Sequence, residues 1–186
     1  MRVDNWLKSV FIFVPLFFSS EIFNIDKLVP TIIAFVAFCL FSSGVYIVND
    51  IFDVKNDIRH PEKCKRPIAS GAVSIKNAVI FASVLAVAGG IVSIFLNTMT
   101  VSLIAFYVLL NFAYTLYLKR KPIFDCFCIA VGFALRIYIG QTSSGTIVSD
   151  WLFLTIVSVS LFMAFGKRRN ERLKTSNCET RDVLEH

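Results

Sequence analysis

The chain has 186 residues, of which 56% are hydrophobic, and 19 residues are phenylalanine. Soluble domains are about 45–50% apolar. This composition, with a mean hydropathy of +0.69, therefore excludes an ordinary soluble domain and predicts an integral membrane protein. The formal net charge of +6 arises from 19 basic and 13 acidic residues, most of which lie outside the apolar runs.

Six apolar runs follow one another along the chain, separated by polar connectors. They lie at about 9–25, 28–48, 78–96, 100–118, 123–141 and 147–165. A helix that crosses ~30 Å of hydrocarbon needs ~20 residues, a length that five runs meet and the first meets only marginally. The sequence therefore predicts an all-α, polytopic membrane bundle with six transmembrane helices. Glu21, rather than a small-residue cleavage site, stands near the end of the first run, and further spans follow, so no cleavable signal peptide is expected.

The connectors alternate between basic and nearly uncharged. Basic residues lie near the N-terminus, in the 49–77 connector, at 119–121 and in the tail, whereas the turn near Asn97 and residues 140–150 have none. By the positive-inside rule, both termini and the two charged connectors face the cytoplasm. We therefore predict a multi-pass protein of the cytoplasmic (inner) membrane, with its charged chemistry on one side.

The 49–77 connector begins with an acidic motif that consists of Asn49, Asp50, Asp53 and Asp57. If the preceding helix continues, the three carboxylates at i, i+3 and i+7 share one helix face. They repel one another unless a cation lies among them, and hard oxygen ligands of this kind suit Mg²⁺ with substrate phosphates. A scattered acidic surface is the alternative interpretation.

Basic residues follow the motif directly. Lys63, Lys65 and Arg66 lie in a stretch that Pro61 and Pro67 keep non-helical. Carboxylates that hold a metal, with Lys and Arg nearby, are a recurrent way to bind and polarise a diphosphate leaving group. The connector therefore predicts a polyphosphate site.

Two ionisable residues, Asp125 and Arg136, fall in the fifth run. They lie on roughly one helix face but about 16 Å apart by helical rise, which is too far for a direct pair. Ionisable groups at membrane depth usually face a bundle interior or a watery cavity. Asp125 is also compatible with the headgroup region, and a purely structural role stays open for Arg136.

Over essentially its whole length, the chain resembles the UbiA superfamily of intramembrane transferases. The likeness rests on "RVDNWLKSVFIFVPLFFS", "VYIVNDIFDVKNDIRHPEKCKRPIASGAVS", "LYLKRKPIFDCFCIAVGFALRIYIG", "FMAFGKRRNE" and "TRDVLEH". It is strongest to the branch of decaprenyl-phosphate phosphoribosyltransferases. Members of the superfamily are bundles of about nine membrane helices whose NDxxDxxxD motif binds Mg²⁺ and diphosphate. The resemblance therefore implies a single UbiA-like domain over residues 1–186. This domain would contain six of about nine membrane helices and would be incomplete at its C-terminus.

The segment after the sixth run distinguishes the branches. Ordinary members have a second DxxxD motif there, whereas this chain has "GKRRNERLKTSNCETRD", with Lys167 and Glu171 at i and i+4 beside Arg168. Basic residues in place of a second acidic cluster suit a phosphate-bearing acceptor rather than a second metal. This difference favours the phosphoribosyltransferase branch.

The resemblance implies Mg²⁺-dependent transfer of a 5-phosphoribosyl group from phosphoribosyl diphosphate to a polyprenyl phosphate, with release of diphosphate. Asp50, Asp53 and Asp57 would hold the metal with support from Asn49, and Asp50, Asp53 and Arg66 would be catalytic. The remaining substrate contacts that the resemblance implies are Lys8, Lys65, Lys119, Asp125, Arg136, Lys167, Arg168 and Glu171. Lys65 and Arg66 could exchange roles at the diphosphate.

Two alternatives stay open. A UbiA-type prenyltransferase that acts on an aromatic acceptor, such as a quinone or haem precursor, would share the first motif but lack the second. An inactive, truncated membrane fragment is the other alternative, because the chain ends after the sixth run. The expected partners are the two substrates and the membrane; no nucleic acid is expected, and a homo-oligomer stays open.

Overall fold

The computed structural model describes the backbone of residues 6–58, 63–117 and 122–184, and the side chains of residues 6–58, 64–117 and 126–170. Regular structure in these ranges is entirely helical, which confirms the all-α prediction. The α-helices are α1 (Trp6–Ser9), α2 (Val14–Phe18), α3 (Ile25–Asp57), α4 (Ile75–Ser93), α5 (Thr98–Leu116), α6 (Pro122–Ser144) and α7 (Asp150–Leu184). Short 3₁₀ turns form at Val10–Phe13 and Lys63–Lys65.

Five of the six predicted runs form helices that are long and apolar enough to cross a membrane, namely α3 to α7. The first run differs. Its helical part, Trp6–Phe18, is shorter than the roughly 20 residues that a span needs, and the 3₁₀ turn interrupts it. Pro15 lies in the first turn of α2, where the backbone N–H that proline lacks would have no partner within the helix. Because Pro15 cannot donate a hydrogen bond to the preceding turn, the helix before it does not continue regularly into α2.

Three helices begin at side-chain caps that the sequence supplies. Asn24 Oδ1 accepts from the backbone N–H of Asp26, Ser74 Oγ from that of Asn77, and Asn97 Oδ1 from that of Thr100. Each cap pairs a backbone donor that the first helical turn leaves unsatisfied. These caps fix the starts of α3, α4 and α5.

The centre of the bundle is α3, which packs against α4, α5, α6 and the N-terminal segment, while α7 packs against α6. The hydrophobic core joins residues from four of these elements: Ile12, Ala34, Ala37, Phe38, Ile104, Tyr107, Leu135 and Ile139. The close approach of α3 to α4 depends on small residues. A Cβ added at Gly44 of α3, for example, would lie 3.5 Å from the Ala82 carbonyl oxygen of α4.

Hydrogen bonds between elements show which helix ends meet. Trp6 Nε1 donates to Ser43 Oγ at 3.2 Å, so the chain begins beside the C-terminal half of α3. Thr115 Oγ1 lies 3.1 Å from Asn49 Oδ1, which brings the end of α5 to the acidic motif. We call the end of the bundle at Asn49–Asp57 the motif end.

The opposite end, which we call the distal end, is formed by the α4–α5 turn and the end of α6. Asn97 Nδ2 donates to the Thr142 carbonyl oxygen at 2.7 Å, and the hydroxyls of Thr100 and Thr142 are 2.9 Å apart. These contacts place an uncharged connector on the opposite end from the charged 49–77 connector. The helices therefore alternate in direction as the charge pattern predicts.

Candidate active site

Two buried aspartates and one arginine form the centre of the motif end. Arg66 Nη1 donates to Asp57 Oδ2 at 2.6 Å and to Asp50 Oδ1 at 3.3 Å. Asp50 is 8% exposed and Asp57 is 4% exposed, whereas the Arg66 side chain is 24% exposed. One guanidinium nitrogen thus bridges two carboxylates at the edge of the bundle.

The local sequence explains how these groups meet. The apolar run was expected to end near residue 48, but α3 continues through Asp57, which is the condition for a shared face. Positions 50 and 57 therefore lie two turns apart on one face. The chain then returns through the Lys63–Lys65 turn. Backbone bonds from Ser70 N to Arg66 O (2.8 Å) and from Val73 N to Pro67 O (3.0 Å) hold the next turn, which places Arg66 against α3.

The third aspartate of the motif is placed differently. Asp53 is half-buried on α3, and Lys65 is exposed. Within the described side chains, no three acidic, histidine or cysteine residues converge as a metal-holding group. The oxygen donors suit Mg²⁺ chemically, but they do not form a metal site while Arg66 lies between Asp50 and Asp57. The predicted three-carboxylate site stays a prediction, and Arg66 contacts the carboxylates that it was expected to complement.

Asn49 has a partner that the sequence analysis did not identify. Thr115 of α5 is 5% exposed, and its hydroxyl lies 3.1 Å from Asn49 Oδ1 and 2.9 Å from the Asn111 carbonyl oxygen. Thr115 therefore connects α5 to the first residue of the motif. The spacing of Asn111 and Thr115, i and i+4 within an apolar run, is the signal that could have indicated an inward polar face.

Arg136 faces the bundle interior, as expected for an ionisable group at membrane depth, and is 4% exposed. Nη1 donates to the Gly132 carbonyl oxygen and Nη2 donates to the Tyr107 hydroxyl. The guanidinium carbon lies 4.9 Å from the ring centre of Phe38, 5.2 Å from that of Tyr107 and 5.4 Å from that of Phe133. Nε has no hydrogen-bond partner in the described part of the chain.

Arg136 is separate from the carboxylate cluster. It contacts Phe38, which precedes Asp50 on α3 by twelve positions, or about 18 Å of helical rise. The aromatic rings stabilise the guanidinium by cation–π contacts, and these contacts are compatible with a purely structural role for Arg136. Its predicted part in substrate binding stays a prediction.

The other predicted contacts lie at several places. Lys8 is exposed in α1, and in α7 Lys167 is exposed and Arg168 is half-buried. Lys119 lies outside the described residues, as do the side chains of Lys63, Asp125 and Glu171. The structure therefore brings together Asp50, Asp57 and Arg66, with Asn49 on the adjacent turn.

The residue types of the cluster indicate which ligand could bind there. Two buried carboxylates share one guanidinium nitrogen. Carboxylate oxygens are ligands that Mg²⁺ prefers, and arginine can form bidentate bonds to a phosphate group that approaches. The motif end is therefore suited to a ligand that supplies both a cation and phosphate oxygens.

Comparisons with known proteins identify a family. The family model described as "UbiA prenyltransferase family" matches residues 9–172. A decaprenyl-phosphate phosphoribosyltransferase of Corynebacterium glutamicum is 38% identical over 178 residues, which cover 93% of this chain and 53% of that protein. A digeranylgeranylglyceryl phosphate synthase of Sulfolobus acidocaldarius is 31% identical over 118 residues, 63% of this chain and 42% of that protein.

A solved structure shows the same fold. It is described as giving "structural and mechanistic insights into the biosynthesis of digeranylgeranylglyceryl phosphate synthase in membranes", and it matches with a TM-score of 0.68 at 19% identity. The match covers 95% of this chain and 60% of that one. The chain thus spans about half the length of the curated relatives that it matches.

Proposed function

The chain belongs to the UbiA prenyltransferase family, a family of multi-pass membrane proteins, and on that premise we propose that it acts in phosphoribosyl transfer. The donor would be phosphoribosyl diphosphate, the acceptor a polyprenyl phosphate and the by-product diphosphate. The observation that carries the proposal is the buried Asp50–Arg66–Asp57 cluster at the motif end. The likeness to a decaprenyl-phosphate phosphoribosyltransferase supports this choice of substrates.

In the proposed reaction, an oxygen of the acceptor phosphate attacks the anomeric carbon of the ribose. A carbon–oxygen bond to the acceptor forms while the bond to diphosphate breaks, and both electrons of that bond leave with the diphosphate. The acceptor phosphate is already ionised near neutral pH, because its second pKa is about 6, so no general base is required. Catalysis then depends on positioning and on stabilising the leaving-group charge, for which Arg66 and Lys65 are the proposed groups.

Mg²⁺ is the proposed cofactor, since UbiA prenyltransferases generally use it. When bound, the ion would neutralise charge on the diphosphate, and Asp50, Asp53 and Asp57 supply oxygen ligands of the type that it prefers. In the observed arrangement Arg66 bridges two of these carboxylates, so the ion requires a rearranged cluster.

The acceptor phosphate requires basic groups at the same end of the bundle. Starting from Asp150 beside the distal end, α7 reaches Lys167 after about 26 Å of rise, which is most of a bilayer's hydrocarbon thickness. We therefore propose Lys167 and Arg168 as acceptor contacts, together with Lys8 and Lys119. The apolar faces of the bundle would lie along the prenyl chain.

The test uses membranes that contain the protein in the full length of its open reading frame. They are incubated with phosphoribosyl diphosphate labelled in the ribose, Mg²⁺ and polyprenyl phosphate, and labelled lipid is the expected product. Asp50→Asn should abolish labelling, whereas Asp26→Asn, an exposed aspartate at the other end of α3, should leave it unchanged. Absence of labelled lipid from folded wild-type protein would refute the proposal.

Prenyl transfer from a prenyl diphosphate is the second candidate, favoured by the likeness to a digeranylgeranylglyceryl phosphate synthase. An aromatic acceptor is one version of this reaction. The same membranes, supplied with labelled prenyl diphosphate and aromatic or glyceryl phosphate acceptors, distinguish the two reactions. Label transferred from the prenyl donor, with none from phosphoribosyl diphosphate, would select the second candidate.

A further inference from the structure

We propose that Arg66 is an exchangeable counter-ion that excludes a divalent cation from Asp50 and Asp57 until a diphosphate draws it away. The metal and the diphosphate would therefore bind cooperatively, and both carboxylates would keep a cation beside them between turnovers. This inference rests on the proposed function, because it concerns the same site and the same diphosphate donor.

Arg66 and a divalent cation would compete for the same space. Arg66 Nη1 lies 2.6 Å from Asp57 Oδ2 and 3.3 Å from Asp50 Oδ1, so it occupies the space between the two carboxylates. A Mg²⁺ ion would need contacts of about 2.1 Å to carboxylate oxygens in the same space. The nitrogen and the ion cannot both fit there, and their like charges repel each other.

The burial of the two carboxylates favours a bound counter-ion. Asp50 and Asp57 are 8% and 4% exposed, and carboxylates buried to this degree are costly unless a cation compensates them. Arg66 contributes to that compensation when no metal is bound. A divalent cation could replace it only if the displaced guanidinium found another anion, and diphosphate offers oxygens in the geometry that arginine binds best.

The Arg66 side chain can move without disturbing α3. It follows a three-residue 3₁₀ turn and precedes the turn that starts at Pro67, and its backbone oxygen is held by Ser70 N at 2.8 Å. A rotation of its partly exposed side chain is therefore enough to break both ion pairs. Because the exchange couples two ligands, each should raise the affinity for the other by the same factor.

The experiment titrates the detergent-purified chain with Mn²⁺ alone and measures free Mn²⁺ by electron paramagnetic resonance. Arg66→Gln removes the competing cation, so the apparent Kd for Mn²⁺ should fall by about tenfold or more relative to wild type. Lys65→Gln is the matched control, because it removes the same charge from the exposed neighbouring residue. Its affinity for Mn²⁺ should stay within about twofold of wild type.

A second variant separates the bridging contact from other effects. In Arg66→Gln/Asp57→Asn the gain in Mn²⁺ affinity should disappear, because one of the two buried carboxylates is lost. If Arg66→Gln does not fold, Arg66→Lys replaces it; a single ammonium group bridges two carboxylates less well, so Mn²⁺ should bind several-fold tighter than in wild type.

Equal Mn²⁺ affinity in wild type and the folded Arg66 variant would overturn the inference, and so would an equal gain in Lys65→Gln. Failure of the proposed function has a different result. The full-length protein would then form no phosphoribosyl lipid, while Arg66→Gln still gained affinity for Mn²⁺.

Discussion

Thr115 is the residue through which α5 contacts the acidic motif, since its hydroxyl lies 3.1 Å from Asn49 Oδ1. The same hydroxyl also lies 2.9 Å from the Asn111 carbonyl oxygen of its own helix. A hydroxyl has one proton, so these two oxygens share one donor. Thr115 therefore orients the Asn49 side chain without being placed to touch a substrate, and we regard it as a positioning residue.

We expect Thr115→Val to lower the rate of the proposed phosphoribosyl lipid formation by about fivefold, because about 1 kcal/mol of hydrogen bonding no longer holds Asn49. The shape of the side chain is nearly unchanged, so the melting temperature should fall only by the roughly 2–4 °C that one hydrogen bond accounts for. The measurement compares initial rates over a range of phosphoribosyl diphosphate concentrations with thermal unfolding of the same preparation.

Thr115→Ser is the control for this change, since it keeps the hydroxyl and removes only a methyl group. Its rate should stay within about threefold of wild type, which distinguishes the hydrogen bond from packing. Equal rates for the Val and Ser variants would show that the contact with Asn49 does not matter for the reaction.

At the scale of the helices, the N-terminal segment is held unusually close to α6. A Cβ added at Gly140 would lie 1.9 Å from the Ile12 carbonyl oxygen and 3.2 Å from Pro15 Cδ. The rings of Phe11 and Phe133 meet edge to face on the same interface, with centres 5.1 Å apart. The segment is too short for a regular span, so its contacts with α6 and α3 determine its position.

We expect Gly140→Ala to destabilise the protein by about 1–3 kcal/mol, because the added methyl group forces the N-terminal segment away from α6. Gly90→Ala is the matched control on α4, where an added Cβ meets nothing within 4 Å. That variant should be neutral or slightly stabilising, since alanine favours helices over glycine by about 1 kcal/mol. Thermal unfolding in detergent measures both, and equal melting temperatures would contradict the close packing.

The sequence predicts the long helices well, because an apolar run of about 20 residues is long enough to form a membrane-spanning helix. Apolar runs of sufficient length predicted α3 to α7, although α3 extends to Asp57, beyond the end of its apolar run near residue 48. The length of the first run did not predict its irregular helix, because that depends on a local break near Pro15.

The sequence predicted which residue types form the site, but it did not predict which side chains contact each other. The residue types indicated a cation and phosphate oxygens, yet the cation that contacts Asp50 and Asp57 is Arg66 itself. That pairing depends on the path of the connector between α3 and α4, which spacing along a sequence does not encode. The contact of Thr115 with Asn49 likewise depends on how α5 packs beside α3, 66 positions apart in sequence.

At the scale of the whole molecule, the helices separate two chemically different ends. The motif end contains the Asp50–Arg66–Asp57 cluster, and the distal end contains the uncharged contact of Asn97 with Thr142. This separation follows from alternating helix directions and does not itself assign either end to a side of the membrane. The positive-inside rule predicts that the motif end faces the cytoplasm.

Labelling of two matched cysteines tests this orientation. Ser70→Cys lies in the turn after Arg66, and Ser149→Cys lies between α6 and α7; both native serines are exposed. Each is introduced after replacement of the five native cysteines by alanine.

In intact spheroplasts, a membrane-impermeant maleimide should label only Ser149→Cys, because the cytoplasmic membrane shields the motif end. Permeabilised cells should label both variants equally, which shows that each position is reactive. Labelling of Ser70→Cys alone in intact spheroplasts would invert the orientation and place the proposed site where phosphoribosyl diphosphate from the cytoplasm cannot reach it.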